Sequence, residues 1–288
     1  MNNELINKFK DKYNKLDENS IIRNALSQNQ LEKITLNHEL IQKEHSKFNF
    51  RINDSKEIEP TNQELSGRCW LFAVLNSARI LMIKKYKLDN FEFSAIYLTF
   101  WDKFEKSHTF LKHIIETKSK PLDNIYIIHL LNNSVDDGGQ WNMIDDLISK
   151  YGLIPKCAMK ESYHSDDTEN VNSILKNKLL CFAEEIRTSK KFNINNMMEE
   201  IFRLLVYFFG MPPDKFTWEY NKKINKKGKT KGKKKRNNKT IKKLISVKNI
   251  TPLTFYKKYV PYNVSNKVVL IHNPTRPYYN IYDIKFLK

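Results

Sequence analysis

A chain of 288 residues with 40 % apolar and 12 % aromatic side chains can bury a core in one large or two modest domains, which excludes general disorder. The formal net charge of +18 suggests a polyanionic partner, but 13 Lys or Arg and no acid fall within residues 222–243, and the remainder carries only +5. No apolar run is long enough to cross a bilayer, and residues 1–10 are too polar for a signal peptide, so the chain reads as soluble, with no membrane partner.

Residues 1–50 read as charged helical segments joined by polar turns, and 60–63 as a turn or extended stretch. Residues 1–58 form an N-terminal helical extension and 59–288 the main domain. From Cys69 to about Lys87 apolar residues occupy nearly every face, from Trp70, Leu71 and Phe72 to Met82 and Ile83, which predicts a buried helix. Lys84, Lys85 and Lys87 suit the negative end of its dipole. Ser94 caps a second helix running through Phe104. Asp136-Asp137-Gly138-Gly139 is a turn, 140–151 a helix, and Gly152 its stop. Residues 171–187 and 197–209 are amphipathic helices, the latter ended by Gly210 and Pro212-Pro213. Residues 254–259 predict a short helix, and 268–271 and 281–286 predict strands. No internal repeat occurs.

The chemistry concentrates at Cys69. A thiol at the start of a buried helix meets free backbone N–H groups and the positive end of the dipole, which favour the thiolate. Such a cysteine acts as a nucleophile, usually beside an imidazole. Gly67 lets backbone approach the sulfur, and the Gln63 amide, six residues upstream, can meet a developing oxyanion together with the Cys69 N–H. Cys69, Cys157 and Cys181 are an odd, sparse set without metal-ligand spacing. They argue against a disulfide framework and for a reducing compartment, and no metal or cofactor is expected.

The run Gln63-Glu64-Leu65-Ser66-Gly67-Arg68-Cys69-Trp70 resembles the active-site segment of papain-like cysteine peptidases, Cys-Gly-Ser-Cys-Trp with a Gln upstream. Ser66 replaces the disulfide cysteine of secreted members, and Arg68 replaces a small residue; both resemble the cytosolic bleomycin hydrolase, or aminopeptidase C, branch. Phe91-Glu92-Phe93-Ser94, Phe100-Trp101-Asp102-Lys103, Asp137-Gly138-Gly139-Gln140-Trp141, Glu161-Ser162-Tyr163 and Phe216-Thr217-Trp218-Glu219-Tyr220 extend the likeness along the chain in order.

The resemblance implies an α+β, papain-like fold with a largely complete helical half, an incomplete sheet half and helical insertions. It implies a cytoplasmic thiol aminopeptidase acting on peptide N-termini, with Cys69 as nucleophile and Gln63 in the oxyanion hole. Gly138 and Gly139 would run beside an extended substrate, where a side chain would block the approach. Relatives assemble as hexamers. The family's catalytic His and Asn lie in downstream segments that the 288 residues do not contain. None of the seven histidines, His38, His45, His108, His113, His129, His164 and His272, sits in a matching segment, and none is nominated as the base.

Two readings follow. Either the chain is part of an active peptidase, truncated before the His and Asn and inactive alone, or it is a non-catalytic homologue acting in nucleic-acid binding or interaction. The Lys-rich insert 222–243 supports the second reading through phosphate neutralisation. The plainer reading is a solvated low-complexity loop, and a nuclear-localisation signal is a third. The insert lacks the interleaved aromatics that base stacking needs.

Overall fold

The computed structural model describes residues 2–43, 58, 60–226 and 239–267. The strands predicted after residue 267, together with His45 and His272, lie outside the described residues. The chain divides into two compact units, Met1–Lys56 and Glu57–Lys288.

The first unit carries α1 (Asn3–Asn14), α2 (Asp17–Gln28), α3 (Leu31–Ile34) and α4 (His38–Lys43). Asn2 caps α1 by accepting the Leu5 N–H (3.0 Å). The α1–α2 turn is tied both ways, the Tyr13 hydroxyl donating to the Asn19 carbonyl (3.0 Å) and Asn19 Nδ2 donating to the Tyr13 carbonyl (2.8 Å). No residue of α1 or α2 is buried, so local caps rather than a core hold them. Helices this short are marginal on such terms.

The second unit is built on α5 (Cys69–Tyr86), α6 (Ala95–Glu116), α7 (Ile125–Asn132), α8 (Trp141–Tyr151), α9 (Tyr163–Asp166), α10 (Glu169–Thr188), α11 (Ile194–Phe209) and α12 (Pro252–Tyr259). The central element is α6, which packs against α5, α8, α10 and α11. Ser94 caps it by accepting the Tyr97 N–H (3.3 Å). The helix runs on to Glu116 rather than ending near Phe104, because Asp102, Lys103 and Lys106 are buried among the packed helices instead of marking a solvated end. Nor is α5 sealed on every face: Leu71, Val74, Leu75, Ala78 and Met82 are buried, while Ile80 and Leu81 are exposed. Uniform apolar composition hides which face meets the core. At the other end of the unit, Pro252 opens α12 where its missing N–H costs nothing.

Two strands, β1 (Phe216–Lys226) and β2 (Lys239–Ile250), pair antiparallel. Trp218 anchors the ribbon: it is 2 % exposed, stacks on Tyr220 (4.4 Å between centroids) and meets Tyr86 and Phe255 edge-on at 5.1 Å each. The outer parts of the Lys-rich insert, 222–226 and 239–243, continue these strands, which corrects the reading of 222–243 as a loop; its middle lies outside the described residues. Lys222 faces Lys243 across the ladder and Lys223 faces Lys242. Lys242 is offset by the carboxylate of Asp89 (3.2 Å).

Burial, then the neighbouring Tyr220 and Tyr259, push the Tyr86 hydroxyl up to about 12. Tyr97, pushed up by burial and by Asp214 against a lowering hydrogen bond from Trp101, also reaches about 12. Each hydroxyl donates within the core, Tyr86 to the Tyr259 carbonyl and Tyr97 to the Tyr151 carbonyl, both at 2.8 Å. A folded value above the unfolded value of about 10 stabilises the fold fully below pH 10 and loses that stability as pH rises through 12. Melting temperature is therefore expected to fall between pH 10 and 12, and to fall less in Tyr86→Phe and Tyr97→Phe, as thermal melts against pH would record.

Candidate active site

Cys69 is the first residue of α5, and Arg68 before it supplies no side-chain cap. The first backbone bond into the turn runs from the Phe72 N–H to the Arg68 carbonyl (3.1 Å). The N–H groups of Cys69, Trp70 and Leu71 thus meet no acceptor among the described residues. A helix start in that state receives an anion. The Cys69 thiol is free and exposed, as are Cys157 and Cys181.

The chain enters α5 through a strap at 60–68 held from beneath by Arg68. This guanidinium is 1 % exposed. Its Nε donates to Ser66 Oγ (2.8 Å) and its Nη1 to Glu161 Oε2 (2.7 Å). Ser66 Oγ in turn donates to the Gln63 carbonyl (2.5 Å). Glu161 also accepts the Ile96 N–H (3.1 Å) and the Ser165 hydroxyl (2.7 Å), so one ion pair joins the turn before Cys69 to the start of α6 and to α9. Glu64 takes a left-handed conformation (φ 53°), and its N–H donates to Asn62 Oδ1 (3.0 Å). Gln63 is half-buried in this strap, and its side-chain amide makes no hydrogen bond among the described residues.

Asp137 ties the same turn to the glycine pair. Its Oδ2 accepts the Gly67 N–H (3.3 Å) and the Thr168 hydroxyl (2.6 Å), while its carbonyl accepts Trp70 Nε1 (2.7 Å). Burial alone would raise its carboxyl; the Lys103 ammonium at 2.6 Å, with hydrogen bonds from Lys103, Thr168 and Asn172, holds it well below the usual carboxylate range. Burial also lowers Lys103 and raises Asp102.

The two glycines have different reasons to be glycine. A Cβ on Gly138 would meet nothing within 4 Å, whereas one on Gly139 would stand 2.4–2.5 Å from the Trp70 indole. Gly139 is thus required by packing, and Gly138 borders open space. Gly139→Ala is expected to destabilise by about 1–3 kcal/mol through forced repacking and Gly138→Ala by less than about 0.5 kcal/mol, a contrast that paired denaturant melts would measure.

No hydrogen bond joins a histidine to Cys69 among the described residues. His113 is engaged with the Tyr126 hydroxyl, His129 with Asn133, and the His164 ring lies edge-on to Tyr163 and Phe208. A cavity of about 280 Å³ lies behind the strap, lined by Thr61, Glu64, Phe72, Asn76 and Arg79 among others; Cys69 is not part of its wall. Among the described residues no group of three or more His, Cys, Asp or Glu is placed to hold a metal ion, and no helix is long and apolar enough to cross a membrane.

Sequence reasoning missed the supports of the site, Asp137, Glu161, Lys103 and Lys106. Asp137 and Glu161 stand inside the family-like runs 137–141 and 161–163, and a buried role for the two lysines leaves no periodic signal.

The whole chain, residues 1–288, matches the peptidase C1-like family. Bleomycin hydrolase of Rattus norvegicus is 37 % identical over 243 residues, covering 79 % of this chain and 50 % of the relative. Bleomycin hydrolase of Homo sapiens is 34 % identical over 304 aligned positions, covering 100 % and 62 %. Aminopeptidase C of Listeria monocytogenes is 37 % identical over 235 residues, covering 79 % and 49 %. The crystal structure of PepW from Lactobacillus rhamnosis superposes with a TM-score of 0.72 at 31 % identity, covering 92 % of this chain and 57 % of that one. The chain spans about half the length of most of these curated relatives.

Proposed function

Because the chain belongs to the peptidase C1-like family, with a papain-like α+β fold, we propose that it carries the nucleophile and part of the substrate-binding edge of a thiol aminopeptidase of the bleomycin hydrolase type. One observation carries the reading: the free, exposed thiol of Cys69 sits on the first residue of an uncapped helix. In the proposed reaction the Cys69 sulfur attacks the carbonyl carbon of the N-terminal residue's peptide bond. The resulting oxyanion takes hydrogen bonds from the Cys69 N–H and the Gln63 amide. Collapse breaks the C–N bond, the amine leaves with the proton that the Cys69 thiol gave up, and water then hydrolyses the acyl-thioester to the free acid and the thiol. The N–H and carbonyl of Gly139 make no hydrogen bond among the described residues, and beside open Gly138 they offer an edge to an extended peptide.

No described histidine bonds to Cys69, so we expect the 288 residues alone to be alkylated readily but to turn over slowly. The experiment is peptide mapping after brief exposure to a dipeptidyl chloromethyl ketone. The thiolate sulfur displaces chloride and forms a thioether, and the adduct is expected on Cys69 far ahead of Cys157 and Cys181. Equal labelling of the three cysteines would defeat the reading. The three free thiols support a reducing, cytoplasmic setting, and sedimentation would test for the hexamer.

A second reading concerns the ribbon, where Lys222 and Lys223 stand opposite Lys243 and Lys242. Thirteen Lys or Arg and no acid fall within residues 222–243, a density that suits phosphate neutralisation, so we propose weak, sequence-independent binding of nucleic acid there. Duplex binding that falls steeply between low and physiological salt supports it; binding that ignores salt, or no binding at low salt, removes it.

A further inference from the structure

Helix α6 sends Lys106 into the interior, where its side chain is 2 % exposed. The ammonium has three N–H groups and spends them on three acceptors: Asp102 Oδ2 (2.8 Å), the Asp136 carbonyl (2.7 Å) and the Gly138 carbonyl (2.7 Å). It also stands 5.5 Å from the centre of the Trp70 ring. Between the two carbonyls it holds, that of Asp137 points away and accepts Trp70 Nε1 (2.7 Å). The alternation fixes which side of the 136–139 segment faces inward. With the Gly138 carbonyl bound inside, the ungripped N–H and carbonyl of Gly139 are left for an external partner.

A fully buried ammonium is costly, and replacing a buried ion pair by apolar residues of similar size is commonly neutral or stabilising. Stability alone therefore does not account for Lys106 and Asp102. We propose that Lys106, neutralised by Asp102, is a positioning residue that sets the backbone of Gly138 and Gly139 in register with Cys69 for an extended peptide. This rests on the peptidase reading above. Lys103, one turn earlier on the same helix, complements it by gripping Asp137 (2.6 Å), which binds the Gly67 N–H two residues before the nucleophile. The lysine pair thereby links the turn that carries the sulfur to the segment that would carry the substrate.

The test compares two alkylation rates on Cys69, one with iodoacetamide, which needs only the sulfur, and one with a dipeptidyl chloromethyl ketone, which also needs the substrate edge. In Lys106→Met the ketone rate is expected to fall about tenfold, the loss of roughly one substrate hydrogen bond, with the iodoacetamide rate within about twofold. Should the methionine variant not fold, Asp102→Leu with Lys106→Met removes both charges together and restores an apolar core. A positioning role predicts that the double variant regains stability without regaining the rate ratio. A folded variant that keeps the unmodified ratio, or a double variant that recovers ratio and stability together, overturns the proposal. An unmodified chain without preference for the peptidyl reagent would instead overturn the peptidase reading, a distinct outcome.

Discussion

Cys69→Ala is expected to abolish labelling by a dipeptidyl chloromethyl ketone while shifting the melting temperature by less than about 2 °C. The two effects separate because of where the side chain sits. Its sulfur is exposed and makes no hydrogen bond among the described residues, so its removal leaves no cavity and no orphaned partner. The turn around it is held by neighbours instead: Arg68 on Glu161, Gly67 on Asp137, and Trp70 over Gly139. Alanine is also a good first helical residue. Cys157→Ala and Cys181→Ala, which remove the other free thiols, should keep the labelling. Mass spectrometry of the three variants beside thermal melts would check this. A Cys69→Ala chain that still takes up the ketone at the original rate would mean that another thiol is the reactive one.

The elements were legible where the sequence pattern and the packing agree. The start of α5 at Cys69, the Ser94 cap and the stops at Gly152 and Gly210 all stand as expected, since Gly152 (φ 78°) and Gly210 (φ 85°) adopt left-handed conformations that glycine takes without strain. The second half of α6 was not legible. Asp102, Lys103 and Lys106 are buried because each finds an opposite charge, Lys106 on Asp102 one turn back and Lys103 on Asp137, and the second pairing, across segments, leaves no trace in local periodicity. The ribbon was missed for a different reason. Alternation of Phe216, Trp218 and Tyr220 was present, but the lysines beyond it suggested a loop. At the site, the sequence singles out the residues proposed to carry the chemistry, Cys69, Gln63, Gly138 and Gly139. It does not identify those that hold them, because Asp137 and Arg68 act through partners tens of residues away.

The largest stability effect is expected at Arg68. Arg68→Met keeps most of the volume but removes the Glu161 ion pair (2.7 Å) and the hydrogen bond to Ser66 Oγ. Arg68 is 1 % exposed and the Glu161 side chain 16 %, so the carboxylate is left in a site with little water to replace its partner. Breaking one side of such a buried pair costs about 3–5 kcal/mol, a fall in melting temperature of about 10 °C for a unit of this size. Glu161→Gln alone retains an acceptor for the Ile96 N–H but leaves the guanidinium only the more distant carboxylate of Asp166 (3.8 Å). Combining it with Arg68→Met removes both charges, and the double variant should therefore melt above either single one. Ser66 and Gln63 hang from the same guanidinium, so the loss should reach the chemistry as well: peptidyl alkylation of Cys69 should slow more than iodoacetamide alkylation does. A single Arg68→Met variant melting within about 2 °C of the unmodified chain would show that the strap is held by something other than this pair.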